Sequence, residues 1–284
     1  MNNKYGLKFR NLRKRQHITL VEAANGITSK SSLQRWEQGK DNLSFNQVLL
    51  LLKRIHIQPM EFLETITSSQ LYRIANKINI AYVKSDKQAL HKYALENIAK
   101  YRSNPQDINS FFESCIACNF YNDLFNENLL NYKEINQLTS NLINIDEWNY
   151  EYLFYFGNTL GLLDSSSIYR LSISLINYSN NEKIFNRKWY DDVLNTLLNA
   201  ITSLIRKDYK KAQLLLNKFN KLQISDRHAY EKIHAKMFQA YINYIETKND
   251  IEIQRIIEYI KFLDLPELED GFQTGFKQIK RIYG

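Results

Sequence analysis

Apolar residues recur along most of the chain at the three- and four-residue spacing of amphipathic helices. In one stretch, a single helix face would carry Trp189, Val193, Leu197, Ala200 and Leu204. Strands would instead show strict alternation, and the turns between them would need more than the 8 Gly and 3 Pro of this chain. The pattern therefore predicts an all-α fold.

The first 66 residues contain start and stop signals for five short helices. Thr19 and Glu22 form a capping box for a second helix, which ends before Gly26, a residue that tolerates left-handed backbone. Later helices are predicted to start, in chain order, after Thr28 or Ser29, after Ser44 and at Pro59. Two short helices joined by a tight turn form an arrangement that reads the major groove of DNA.

Positive charge is concentrated in the same segment. Residues 1–65 contain eleven Lys and Arg against five Asp and Glu, whereas the rest of the chain contains 27 against 25. A basic terminal segment is the electrostatic footprint expected for contact with phosphates. Charge and helix pattern together predict a DNA-binding head.

The third predicted helix and its flanks carry a characteristic set of residues: Gly26-Ile27, Ser29, Ser31, Leu33, Trp36-Glu37-Gln38-Gly39 and the leucine-rich fourth helix. This set resembles the Cro/C1-type (XRE) helix-turn-helix and, more narrowly, that of Rgg/MutR-type regulators. The resemblance implies a sequence-specific regulator of transcription that binds double-stranded DNA.

The resemblance also assigns roles to residues of the head. Base reading falls to Lys30, Ser31, Ser32, Gln34 and Arg35. Phosphate contact or capping falls to Arg13, Arg15, Gln16, Ser29, Lys40 and Asn42. Lysine and arginine can donate to guanine, glutamine can pair with adenine, and serine can serve either. We expect Leu33 and Trp36 in the core, and a structural role for Glu37, because phosphate would repel its carboxylate.

The rest of the chain continues as amphipathic stretches separated by short polar breaks. Helices are predicted at 68–83, 86–102, 106–121, 124–140, 146–161, 165–179, 186–206, 208–220, 225–247, 249–263 and 267–282. Helices paired across short loops predict an α-solenoid of helical hairpins. Successive segments of the chain do not share a clear 34-residue repeat, so the assignment as a degenerate tetratricopeptide-like solenoid rests partly on the resemblance. We expect a DNA-binding domain at 1–66 and a peptide-sensing and dimerisation domain at 67–284.

The predicted helix 186–206 carries a polar stripe beside its apolar one. The stripe consists of Asn195, Asn199, Thr202 and Arg206. Asparagine can pair with a ligand's main chain whatever the ligand's side chains are, which suits peptide capture on a solenoid's concave face. Asn158 and Tyr241 are further candidates, and an ordinary solvated helix face is the alternative. The resemblance implies that the ligand is a short signalling peptide of a quorum-sensing system, bound by a homodimer.

The sequence offers no pattern typical of an enzyme. Cys115 and Cys118 have redox-pair spacing but lack a βαβ context or further zinc ligands, so we expect them to pack as small apolar side chains. No glycine-rich phosphate loop or nucleophile elbow occurs. We expect no cofactor and no metal. The two cysteines, the polar start and the lack of a spanning apolar run fit a cytoplasmic protein without membrane contact.

Two alternatives stay open at this stage. One is a ligand-independent, phage-type XRE repressor with a helical dimerisation body, and the other is a helical-repeat interaction scaffold with the two thiols as a redox element. A late apolar stripe fits either a dimer interface or core packing: Ile253, Ile256, Ile257, Ile260 and Leu263. Salt-dependent binding to a specific duplex separates the DNA readers from the scaffold.

Overall fold

A computed structural model describes residues 4–64, 70–181 and 187–284, and these residues form sixteen α-helices, two short 3-10 helices and no strand. The predicted all-α class is confirmed. Contacts between residues divide the chain into two compact units, Met1–Lys77 and Ile78–Gly284. The predicted boundary at 66/67 lies outside the described residues and stays a prediction.

The first unit, called the head here, contains the five predicted short helices. They are α1 (Lys4–Arg15), α2 (Leu20–Ala24), α3 (Lys30–Glu37), α4 (Phe45–Arg54) and α5 (Pro59–Glu64). The capping box of Thr19 and Glu22 is present, and Gly26 has the expected left-handed backbone with φ of 71°. Local signals therefore account for the start of α2 and for the turn that follows it.

The head core forms where α1 crosses α3. Phe9 and Trp36 are buried and their ring centroids lie 5.3 Å apart. A Cβ atom at Gly6 would lie 1.9 Å from the Trp36 carbonyl oxygen. Only glycine therefore allows α1 to approach the backbone of α3 this closely.

The later helices complete the chain. They are α6 (Gln70–Val83), α7 (Lys87–Ser103), α8 (Ile108–Phe125), α9 (Tyr132–Ile143), α10 (Tyr150–Gly157), α11 (Ser165–Asn181), α12 (Arg187–Lys207), α13 (Tyr209–Phe219), α14 (Ala229–Thr247), α15 (Ile251–Phe262) and α16 (Pro266–Tyr283). The 3-10 helices span Leu160–Leu162 and Asp226–His228. In the second unit, Ile78–Gly284, the central helix is α12, which packs against α10, α11, α13 and α14.

The largest difference between a predicted and an observed boundary is the start of α9. The helix predicted at 124–140 begins only at Tyr132, because Asn126 ends α8 with a left-handed φ of 53°. Asn131 and Glu134 then form the capping box that starts α9. The predicted helix starts at 68 and 186 lie outside the described residues.

The late apolar stripe belongs mainly to the core. Ile253, Ile257 and Ile260 are buried, whereas Leu263 is exposed.

Both cysteines are buried on α8, and burial raises the pKa of Cys118 to about 12 and that of Cys115 well above its ordinary value. Their thiols therefore remain protonated at neutral pH and pack as small apolar groups.

Candidate functional site

The first turn of α3 is fixed by its own serines. The Ser29 hydroxyl accepts the Ser32 backbone N–H at 3.0 Å and lies 2.9 Å from the hydroxyls of both Ser31 and Ser32. Ser29 is therefore the N-cap of α3, which leaves Lys30 and Ser31 exposed on the leading turn. A helix start also presents partial positive charge to an anion.

Four of the five predicted base readers share an exposed surface of α3: Lys30, Ser31, Gln34 and Arg35. Ser32 is half-buried, and Leu33 and Trp36 point into the core as expected. The Arg35 Nε lies 3.4 Å from Asp41 Oδ2, and both side chains are more than one-third exposed. Such a surface pair is weak, so a base or phosphate can replace Asp41.

Arg13 does not lie where the resemblance places it. Its Nε and Nη2 donate to the two carboxylate oxygens of Glu37 at 2.7 and 2.8 Å, and its Nη1 donates to the Ile18 carbonyl at 2.6 Å. The side chains of Arg13 and Glu37 are only 6% and 3% exposed. The predicted phosphate contact by Arg13 is therefore wrong, because its guanidinium is buried and joins α1 to α3.

The structural role predicted for Glu37 is confirmed, but for a different reason from the one expected. Its carboxylate is the buried partner of Arg13. The other predicted phosphate contacts are exposed: Arg15, Gln16, Ser29, Lys40 and Asn42. They stay predictions.

The predicted polar stripe of α12 lines two adjoining cavities, together called the α12 groove here. The polar cavity, about 750 Å³, lies among α8, α10, α12 and α16 and includes Asn158 and Arg206. The aromatic cavity, about 710 Å³, lies among α12, α14 and α16 and includes Asn195 and Tyr241. Asn199 and Thr202 line both cavities. All six predicted peptide contacts therefore lie along one groove.

Side chains across the polar cavity hold its walls together. Arg206 Nη1 lies 3.3 Å from Asp123 Oδ1, which links α12 to α8, and the Tyr82 hydroxyl donates to the same carboxylate. Lys207 donates to the carbonyls of Leu160, Gly161 and Leu163. Burial lowers the pKa of Lys207, and the neighbouring Arg206 lowers it further.

The aromatic cavity is walled by rings. His234 lies with its ring centroid 4.2 Å from that of Tyr230 and 4.9 Å from that of Phe272, and burial lowers the pKa of His234. The Tyr241 hydroxyl donates to the Phe272 carbonyl at 2.6 Å. Tyr241 thus lines the cavity while its hydroxyl joins α14 to α16, so this hydroxyl can accept from a ligand but has no hydrogen left to donate to one.

Several lining residues of the polar cavity escaped the sequence analysis: Asn119, Asn122, Gln278 and Arg281. They come from α8 and α16, far from α12 along the chain, and no local spacing marks them. Gly161 is a partial signal, because a Cβ atom there would lie 2.7 Å from Asn119 Oδ1. Because the clash is with the end of a side chain and not with backbone, it favours glycine without requiring it, and it does not reveal the partner.

Other kinds of site were sought in the described part of the chain. Across residues 4–64, 70–181 and 187–284, no three His, Cys, Asp or Glu side chains come together as a metal-binding group. None of the helices in those ranges combines the length and apolar character needed to span a bilayer. The candidate sites are therefore the exposed surface of α3 and the α12 groove.

Comparison with known proteins gives one family and several similar folds. Residues 63–274 match the family model of the C-terminal domain of the HTH-type transcriptional regulator Rgg. The SHP pheromone receptor Rgg2 of Streptococcus dysgalactiae has a TM-score of 0.77 at 17% identity, over 97% of this chain and 99% of that one. The PrgX/cCF10 complex has a TM-score of 0.67 at 16% identity, over 98% of this chain and 92% of that one. At such identities the likeness shows the fold.

Proposed function

The chain belongs to the Rgg family of helix-turn-helix transcriptional regulators, and from that premise we propose that it binds double-stranded DNA through α3 under the control of a short peptide. The family consists of regulators of transcription, which argues against both an enzyme and a bare interaction scaffold. We place its action in the cytoplasm, as a homodimer whose two heads read the two halves of an operator.

The observation that carries the DNA-binding proposal is the two-sided character of α3. Lys30, Gln34 and Arg35 are exposed, whereas Leu33 and Trp36 anchor the opposite side in the core. A recognition helix needs this division, because its outer side must enter the major groove while its inner side holds it to the head. Lys30 and Arg35 would donate to guanine, and Gln34 would pair with adenine.

The peptide proposal is supported by the α12 groove and by two similar structures. One of these is a pheromone receptor, and the other is a complex of PrgX with cCF10. In this chain, Asn195 and Asn199 are exposed and line the same cavity as several aromatic rings, which supports pairing of their amides with a peptide main chain. Peptide binding would change DNA binding only if the peptide prefers one dimer geometry over another.

The DNA-binding proposal is tested with a duplex selected from a random library by the full chain. We expect Lys30→Ala and Arg35→Ala each to weaken binding to that duplex by about 5- to 150-fold, the value of one good base contact. Lys53→Ala removes the same charge as Lys30→Ala at an exposed position on α4 and is the matched control. Unchanged sequence preference in the Lys30 and Arg35 variants would overturn the proposal.

The peptide-binding proposal is tested by affinity selection from a pool of random octapeptides. The native chain should retain particular peptides, and Asn199→Lys should lose them because a bulky cation then stands between the two cavities. Asn177→Lys makes the same change on an exposed position of α11 and should retain them. If the native chain enriches no peptide, the ligand-independent repressor is the better description.

A further inference from the structure

The α12 groove has a direction set by α12 itself. Asn195 lines only the aromatic cavity and Arg206 only the polar cavity, with Asn199 and Thr202 between them in both. The eleven-residue step from Asn195 to Arg206 corresponds to about 16 Å of helix. An extended peptide of about five residues covers the same distance, so a peptide of six to eight residues would reach both ends.

The polar-cavity end of the groove carries excess positive charge. Its charged lining residues are Asp123, Arg206, Lys207 and Arg281. Asp123 is already bound by Arg206 and by Tyr82, and Lys207 is occupied by three backbone carbonyls. Arg281 is exposed and makes no hydrogen bond or ion pair with the part of the chain that the structure describes. It is the cation that a bound anion would meet.

The aromatic-cavity end has the opposite character. Asp264 and Glu267 line it, both are exposed, and neither forms an ion pair within the described ranges. Lysine and arginine do not occur among the lining residues of this cavity. His234 stays neutral at physiological pH because burial lowers its pKa. The two carboxylates at the rim therefore have no opposing positive charge among the lining residues of this cavity.

We propose that the α12 groove recognises both ends of an extended apolar peptide, with the free C-terminal carboxylate at Arg281 and the N-terminal ammonium toward Asp264 and Glu267. This inference rests on the proposed function, in which a peptide is the ligand, and adds its direction and end groups. A guanidinium can hold a carboxylate through two parallel hydrogen bonds. The rings of Tyr230 and Phe238 would receive the apolar side chains in between.

The experiment uses the most enriched octapeptide from a random pool selected on the full native chain. That peptide is synthesised with free ends, with a C-terminal amide and with an N-terminal acetyl group, and the Kd of each form is measured by calorimetry. We expect amidation to weaken binding on the order of tenfold or more, since a charge-assisted bidentate contact is lost. Acetylation should weaken it less, because Asp264 and Glu267 face solvent.

Two variants locate the effect. Arg281→Gln should bind the free and amidated forms within about twofold of each other, whereas Arg255→Gln, an exposed α15 arginine outside both cavities, should keep the native preference. Equal binding of the free and amidated forms by the native chain would overturn the inference alone. A preference that persists in Arg281→Gln would also overturn it. If the selection enriches no peptide, the proposed peptide ligand fails, and the inference fails with it.

Discussion

The buried ion pair between Arg13 and Glu37 allows a quantitative test of how the head is held together. Arg13 makes three hydrogen bonds, two to the Glu37 carboxylate and one to the Ile18 carbonyl. Replacing Arg13 by Met leaves the Glu37 carboxylate buried without its counter-charge. Breaking a buried pair on one side costs about 3–5 kcal/mol. Because a small domain has only about 5–15 kcal/mol of stability, this loss would bring the head close to unfolding.

Replacing both partners should behave differently. In Arg13→Met/Glu37→Leu no charge is left in the core, and such replacements are often neutral or stabilising. We expect this double variant to lie within about 1 kcal/mol of the native head, apart from the lost bond to Ile18. Arg15→Met is the matched control, because Arg15 is an exposed arginine on the same helix. Its effect on stability should stay within about 0.5 kcal/mol.

Hydrogen exchange of α1–α3 amides in the full chain measures the stability of the head directly. The salt dependence of binding to the selected duplex then distinguishes a residue that stabilises the head from one that contacts phosphate. In a plot of the logarithm of the binding constant against the logarithm of the salt concentration, each lost phosphate contact reduces the steepness of the slope by about 0.9. The slope should fall for Arg15→Met and stay native for Arg13→Met/Glu37→Leu. A single Arg13→Met variant that costs under 1 kcal/mol, or a double variant with a reduced slope, would refute the reasoning.

Two further predictions concern packing and pH. Gly6→Ala should destabilise the head by about 1–3 kcal/mol in urea unfolding, since its Cβ would overlap the Trp36 carbonyl. Gly271→Ala on α16 has no atom within 4 Å of its new Cβ and should instead stabilise by about 0.5–1 kcal/mol; destabilisation of both alike would contradict the packing argument. Because burial lowers the pKa of His234 below its ordinary value of 6.5, the folded state binds fewer protons than the unfolded state, and stability should fall as pH drops below about 6.5. His234→Phe should lose less stability than the native chain between pH 7 and pH 5.5, and an equal loss would exclude His234 as the cause.

Local signals explain why much of the head could be predicted from sequence. Thr19, Glu22 and Ser44 act within one helical turn, so their capping roles are visible without knowledge of the fold. The spacing of the polar stripe on α12 likewise identified a helix face that proves to line a groove. The identity of the side chains opposite that face could not be predicted, since Asn119 and Arg281 arrive from distant helices.

Arg13 shows the limit of charge patterns. Along the sequence it is one of several basic residues of α1, but it lies four residues after Phe9, on the apolar face of that helix, whereas Arg15 lies on the polar face. Its partner Glu37 lies 24 positions later and becomes a neighbour only when α1 crosses α3. A count of positive charges therefore overestimates how many of them can face DNA. The start of α9 is a different case, because its capping box, Asn131 and Glu134, is a local signal that the predicted helix 124–140 ran across.

The crossing of α1 and α3 also restricts how a signal can be transmitted. The guanidinium of Arg13 joins α1 to the Ile18 carbonyl and to the last turn of α3. At Gly6 the two helix backbones lie so close together that there is no room for one helix to slide past the other. Tilting α3 within the head would break the hydrogen bonds of Arg13 to Glu37 and Ile18. In the proposed homodimer, control of transcription should therefore act on the separation of the two heads, so that peptide binding would change which spacings of half-sites along DNA the dimer can span.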